Sequence, residues 1–510
     1  MRKVEGRPLV ALIVVAVIAA LLAACSASGG SQADQAPPST DRPTTSPTTD
    51  SGPSTTGPST TPSSTSLPGG EPDDAPDPDV DDVPDTVFPG QGDPRIDVSH
   101  YDVVVRADPG ERSIEGTATL TLSARTADPL RAFTLDFSGP RVTSASVDDD
   151  EADVEVLEDG EIEVTPASPL EPDVAVELVI AYAGSPLETE FPSLGVPVGW
   201  QSDDDGGWFT MSEPDGTSSW VPVNEHPSDK ATWTTTLDTP SDVTGVGNGR
   251  LTSREKTGVR KSWVWETDQP MAPYLVFAAV GAYDLVERDG PDGTQVVFAF
   301  PVDLPAEDRE AFDELDAILT FFTEQFGPYP DDDTGAVVVP TALGLALETQ
   351  TRPLFGLDST GGATVAALAH ELAHQWFGNA VTPATWSDLW LNESFATYAD
   401  WLYQDHLGDV TLDELAELGR GSDLAVVDPE AAATFDPTIY LGGARALHAL
   451  RLTVGDEDFA ELLRRWFADN AGSSVTTDDF LSLAEDVADE ELDDFADTWL
   501  RAPDQPDLPR

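Results

Sequence analysis

The stretch Ala369-His370-Glu371-Leu372-Ala373-His374-Gln375-Trp376-Phe377 decides the reading of this chain. Its apolar background is helix-forming, and it places two histidines at positions i and i+4. On a helix those side chains share one face, so both imidazoles reach a single ion. Glu371 lies beside the first histidine, where a carboxylate can take a proton from a metal-bound water. The pattern predicts a helix carrying a catalytic zinc centre, one ion per chain.

A catalytic zinc takes three protein ligands and keeps a fourth position open. Eighteen residues separate His374 from Glu393, which stands in the run Trp390-Leu391-Asn392-Glu393-Ser394-Phe395-Ala396. That spacing permits a loop and a second helix packed on the first. Asp400 falls on the same face as Glu393 at helical spacing, and is expected either to orient a histidine ligand or to be a plain surface carboxylate.

The pattern changes along the chain. Ala118, Leu120, Leu122 and Ala124 alternate with polar residues, a strand signature, and short strands bounded by Gly, Pro and Asp continue to about Tyr283. Tyr274 to Val280 reads as a buried strand. After Pro305, Phe312, Leu315, Leu319, Phe322 and Phe326 recur at three and four residues, a helix stopped by Gly327 and Pro328. Ala336 to Val339 reads as a strand. Helical patterns then run to the C-terminus, with Thr476 or Thr477 as a cap. The fold class is therefore α+β: an all-β saddle or sandwich domain over 93–288, then a mostly helical catalytic domain over 289–510.

The first 92 residues read differently. Arg2, Lys3 and Arg7 precede the uncharged run Leu9 to Ala24, too short for the ~20 residues of a spanning helix. It ends Leu22-Ala23-Ala24-Cys25, which resembles a bacterial lipobox. Residues 1–25 are thus expected to be a lipoprotein signal, with Cys25 lipidated. The alternative is an ordinary signal peptide or uncleaved anchor. Residues 26–92 are Ser, Thr, Pro, Gly and Asp with almost no large apolar side chain, expected to form a disordered tether of ~45 Å mean reach. The expected location is the outer face of the cell membrane.

Twenty-six basic residues face 94 acidic ones, a net charge of -68, and only four of the basic ones are lysines. Such a surface excludes nucleic acid and anionic lipid as charge-driven partners. Cys25 is the single cysteine, so no intrachain disulfide supports the core.

His370, Glu371, His374 and Glu393, the last within Trp-Leu-Asn-Glu, together resemble the aminopeptidase N family of gluzincins. Tyr101-Asp102, Phe326-Gly327-Pro328-Tyr329-Pro330 and Phe495-Ala496-Asp497-Thr498-Trp499-Leu500 extend the resemblance over the folded region. It implies a thermolysin-like catalytic domain and peptide substrates with a free N-terminus. Gly344 to Thr349 stands where members carry Gly-Ala-Met-Glu-Asn. Glu348 is then the carboxylate on the substrate amine, and Gly344, Ala346 and Leu347 the strand that binds substrate backbone. Met211-Ser212-Glu213-Pro214 resembles Gln-x-Glu-Pro, which makes Glu213 the second amine carboxylate. Tyr440, heading Tyr-Leu-Gly-Gly, resembles the oxyanion-stabilising tyrosine. Relative to longer members the chain stops where the catalytic domain ends, which implies a more open cleft. A zinc endopeptidase, a hydrolase of the leukotriene branch and an inactive peptide-binding lipoprotein are the rival readings. No oligomeric state follows from the sequence.

Overall fold

The computed structural model describes residues 85–157, 160–191, 196–203, 206–359, 364–408, 410–420, 424–429 and 431–510. The signal segment, Cys25 and most of the tether lie outside them.

The N-terminal half is built from sheets. Ile96–Ala107 is central in an eight-stranded sheet, parallel to Thr232–Pro240 on one side and antiparallel to Ile114–Ala124 on the other. The alternation read from Ala118 to Ala124 is the buried face of Ile114–Ala124. A five-stranded sheet packs beside it, with Ala278–Gly281, Trp208–Met211 and Val196–Ser202 as successive neighbours. Trp208–Met211 is buried throughout and ends two residues before Glu213. This sheet therefore delivers Glu213 to the domain boundary. Tyr274 to Val280 is buried as expected, but only Ala278–Gly281 is strand; Pro273–Leu275 forms a 3-10 turn, since Pro273 cannot donate to a ladder.

The second half opens on a mixed sheet whose order runs Tyr283–Asp289, Gln295–Pro301, Asp333–Val338, Leu354–Phe355, Ala346–Leu347. Tyr283–Asp289 pairs into this sheet, so the domains divide near Gly281, ahead of the expected residue 288. Six helices carry most of the remaining core: α1 (Leu315–Phe326), α2 (Thr364–Ala373), α3 (Trp390–Leu407), α4 (Gly443–Val454), α5 (Asp456–Asn470) and α6 (Thr477–Ala488). Phe312 precedes α1 on a 3-10 turn, and Gly327 (φ 117°) closes that helix. Thr476 caps α6, its hydroxyl accepting from Asp479 N while the Asp479 carboxylate accepts from Thr476 N.

Helix α3 is buried at fourteen positions, including Asn392, Glu393 and Asp400. A helix enclosed on nearly all sides sits in the middle of its domain. It packs on α2 and α4. At the second contact a Cβ on Gly443 would lie 1.8 Å from Ser394 Oγ, so only glycine lets the helices meet there. None of the described helices is long and apolar enough to cross a membrane.

The tether ends earlier than expected. Asp85 and Val87 are buried, and Asp85 Oδ2 accepts a hydrogen bond from Trp386 N at 2.7 Å. Phe88 meets the Trp386 ring edge-on at 6.0 Å. Residues 85–92 therefore belong to the folded body, held by two apolar side chains within an otherwise polar segment.

Candidate active site

His370 ends the last full turn of α2, and His374 follows in the closing turn, its N–H donating to His370 O. Their Nε2 atoms are 3.2 Å apart. Glu393 Oε2, from the first turn of α3, is 3.3 Å from His370 Nε2 and 3.4 Å from His374 Nε2. Zinc bonds of ~2.0–2.1 Å in tetrahedral geometry separate ligand atoms by ~3.3–3.4 Å. The triad thus already has the spacing of three corners of a zinc tetrahedron. His374 Nδ1 donates to Phe377 O at 3.1 Å, which leaves the Nε2 lone pair free for the metal.

The electrostatics ask for a cation too. Burial disfavours an imidazolium, yet Glu348, Glu393 and Glu371 push His374 up to about 10. Burial would raise Glu393, but His374 and His370 hold it down at about 2. Burial raises the Glu371 and Glu348 carboxyls; His374 opposes the rise and Glu393 adds to it in both. Zinc is the ion this donor set fits.

Glu348 and Glu213 lie beside the triad. Oxygens of Glu213, Glu348 and Glu393 fall within 4.8 Å of one another, and so do ligand atoms of Glu348, Glu371 and His374. Glu213 Oε1 and Glu348 Oε1 are buried without a hydrogen-bond partner. Unpaired carboxylate oxygens are costly to bury unless something bonds them. Burial and then the neighbouring Glu348 carboxylate push Glu213 well above the usual range.

Tyr440 sits on a π-helical turn, Thr438–Gly442, fixed where Ser394 Oγ donates to Ile439 O. Its ring lies nearly parallel to that of His370, centroids 6.3 Å apart. Burial and then Glu393 hold its phenol well above its ordinary value, so it stays a donor. Ala346 and Leu347 form the edge strand, antiparallel to Leu354–Phe355. Gly344 (φ 72°) lies two residues before this strand, with its N–H donating to the Asp358 carboxylate.

The profile described as the peptidase M1 N-terminal domain matches residues 97–275, and that of the peptidase family M1 domain matches 359–499. The M1 zinc metallopeptidase of Deinococcus radiodurans, solved as a variant bound to the substrate Tyr-Ser-Ala, aligns with a TM-score of 0.77 at 32% identity. That alignment covers 84% of this chain and 99% of the other. The chain belongs to peptidase family M1. Aminopeptidase M1-A of Oryza sativa subsp. japonica is 29% identical over 319 residues, 57% of this chain and 36% of the relative. Aminopeptidase N of Lactococcus lactis subsp. lactis is 29% identical over 320 residues, 56% and 37% respectively. The chain spans about a third of the length of these curated relatives.

One expected role is corrected in this M1 peptidase. The Asp400 carboxylate accepts from Gln404 Nε2 at 2.6 Å, and no hydrogen bond joins it to a histidine among the described residues. It lies seven residues beyond Glu393, about 10 Å along the helix at 1.5 Å per residue, out of reach of the triad. Phe377 O takes the role expected of it.

Other residues of the M1 peptidase site went unread in the sequence. Gln375 Nε2 and Asn379 Nδ2 both donate to Glu348 O, at 3.2 and 2.8 Å. They tie the amine-side loop to the metal helix. Tyr274, from the β-domain, donates to Gly378 O at 2.7 Å and accepts from Asn392 Nδ2 at 3.1 Å. Gly378 (φ 122°) needs its missing side chain, since a Cβ would lie 3.1 Å from His374 Nδ1. Only adjacency to the two motifs marks Gln375 and Asn392 in the sequence.

Proposed function

We propose that this M1 peptidase is a zinc-dependent aminopeptidase that removes the N-terminal residue from peptides. The observation that carries the reading is the meeting of Glu213 and Glu348, from separate domains, with unpaired oxygens next to the metal triad. A peptide's terminal ammonium supplies the donors and the charge that this pair lacks. Chains without a free amine leave both carboxylates unpaired and are rejected.

His370, His374 and Glu393 would hold the zinc, which when bound would polarise the scissile carbonyl and lower the pKa of water at the site. Glu371 accepts the proton of the attacking water. Tyr440 donates its phenolic hydrogen bond to the oxyanion that develops at the carbonyl. Glu371 then passes its proton to the leaving amine. The edge strand Ala346–Leu347 presents backbone groups to the substrate chain.

The location belongs to the same proposal. The basic start, the apolar run and the lone cysteine support lipidation at Cys25, with the enzyme tethered on the outer face of the membrane. Zinc content and release of amino acids from short peptides test the activity. The reading requires about one zinc per chain and activity abolished by a chelator. Retained hydrolysis in fully zinc-free protein contradicts it.

A further inference from the structure

The separation of Glu213 from Glu348 is set across the domain boundary, because one belongs to each side. Two cations cross that boundary in opposite directions. Lys230, from the β-domain, donates its Nζ to Asn379 O at 3.0 Å and to Ala380 O at 2.9 Å. Arg352, from the catalytic domain and fully buried, donates Nη1 to Gly247 O at 2.8 Å and Nη2 to Gly249 O. Its guanidinium lies 4.6 Å from the Trp265 ring centroid.

Neither cation lies within ion-pair distance of a carboxylate among the described residues. Burial lowers Lys230 to about 7 and Arg352 to about 10. A desolvated cation held only by neutral oxygens, backbone carbonyls and for Arg352 also Thr351 Oγ1 at 3.4 Å, is a costly way to hold a fold together. Here two of the chain's 26 basic residues are used so, one on each side of a single loop.

That loop is Glu348 to Arg352. Thr349 Oγ1 donates to Arg352 O and closes it as a turn. Thr351 holds a left-handed conformation, φ 68°, which a β-branched residue adopts only when its surroundings impose it. Its N–H donates to Gln375 Oε1, and its hydroxyl accepts from Gly249 N. Asn248 Nδ2 donates to Gln350 O at 2.8 Å. On the other side, Asn379 both bonds Glu348 O and carries one of the carbonyls that Lys230 holds.

We infer that Lys230 and Arg352 are reciprocal interdomain pegs, positioning residues that fix the spacing of Glu213 and Glu348 and so set selectivity for a free N-terminal amine. The inference rests on the aminopeptidase reading above. Neither peg touches the reacting atoms. Their loss is expected to loosen the amine pocket while the triad, held by α2 with its closing turn and by α3, stays intact.

The test uses the full-length protein with Lys230→Met, Arg352→Met, Lys230→Arg and Glu348→Gln, on a peptide and its N-acetyl twin. The Met variants should raise KM for the free-amine peptide roughly tenfold, with kcat within about threefold of wild type. Turnover of the acetylated twin and zinc content should not change, and Lys230→Arg should restore much of the affinity. Lys230 is only half-buried, so its variant keeps the test open if Arg352→Met does not fold. Equal damage to both peptides, or unchanged selectivity in a folded, zinc-replete Lys230→Met, overturns the pegs. Selectivity that survives Glu348→Gln sinks the aminopeptidase reading itself; selectivity lost there but intact in both Met variants sinks only the pegs.

Discussion

Glu213 and Glu348 stand on different domains, yet their carboxylate oxygens lie within 4.8 Å of each other and of the metal ligand Glu393. Their Oε1 atoms are buried, and two carboxylates this close stay ionised together only with a cation beside them. Glu348→Gln removes one charge while keeping the shape. A hydrogen bond to a charged group contributes ~1.5–3 kcal/mol, so kcat/KM for a free-amine peptide should fall about 10–100-fold. Steady-state kinetics on aminoacyl-fluorophores measures this.

Glu371 has no structural hydrogen bond that its side chain must keep among the described residues, and it is no ligand of the triad. Glu371→Gln should therefore fold and bind zinc normally. Its turnover should fall by at least the ~10²–10⁴ typical of a positioned acid–base group. Metal analysis beside single-turnover kinetics separates loss of the base from loss of the ion.

Tyr440→Phe keeps the ring beside His370 and removes only the phenolic donor. Turnover should drop by roughly 10²–10³, the usual cost of an oxyanion donor, with little change in substrate binding. If KM and kcat suffered together, the residue would be holding the helix junction at Gly443 rather than the oxyanion.

Asp400 gives the protein a pH signature away from the metal. Burial raises its carboxyl from 3.8 to about 8, with Gln404 opposing. The folded state keeps this proton from about pH 4 to 8, where the unfolded chain has released it. Native protein then binds more protons than unfolded protein, so stability falls as pH rises through that window. One such proton contributes a slope of at most ~1.4 kcal/mol per pH unit. Asp400→Asn should flatten the dependence and raise the melting temperature most at pH 8, as calorimetry at several pH values would show.

Much of the site is local in sequence, and that part was readable. His370, Glu371 and His374 lie within one helical turn and a half, and Glu393 heads the next long helix. The edge strand at Ala346–Leu347 and the turn at Tyr440 followed from resemblance. What the sequence concealed is long-range. Glu213 was named by resemblance, but the buried strand Trp208–Met211 that carries it to the domain boundary was not. Lys230, Arg352 and Tyr274 act on backbone carbonyls, and a carbonyl carries no sequence signal. Asp400 shows the opposite failure, since helical periodicity identified its face but not its distance along the axis. The tether boundary slipped because Val87 and Phe88 are too few to break a Pro- and Asp-rich pattern, although they suffice to pack against Trp386.

The most direct test is the ratio of kcat/KM for a free-amine peptide to that for its N-acetyl twin, measured on zinc-replete enzyme. The account predicts a ratio well above ~10² in the wild type, as two charge-assisted contacts imply, and a collapse of that ratio in Glu348→Gln. A ratio near one in the wild type, with both peptides cleaved and both activities lost in Glu371→Gln, would show an endopeptidase working at the same zinc and contradict the role given to Glu213 and Glu348.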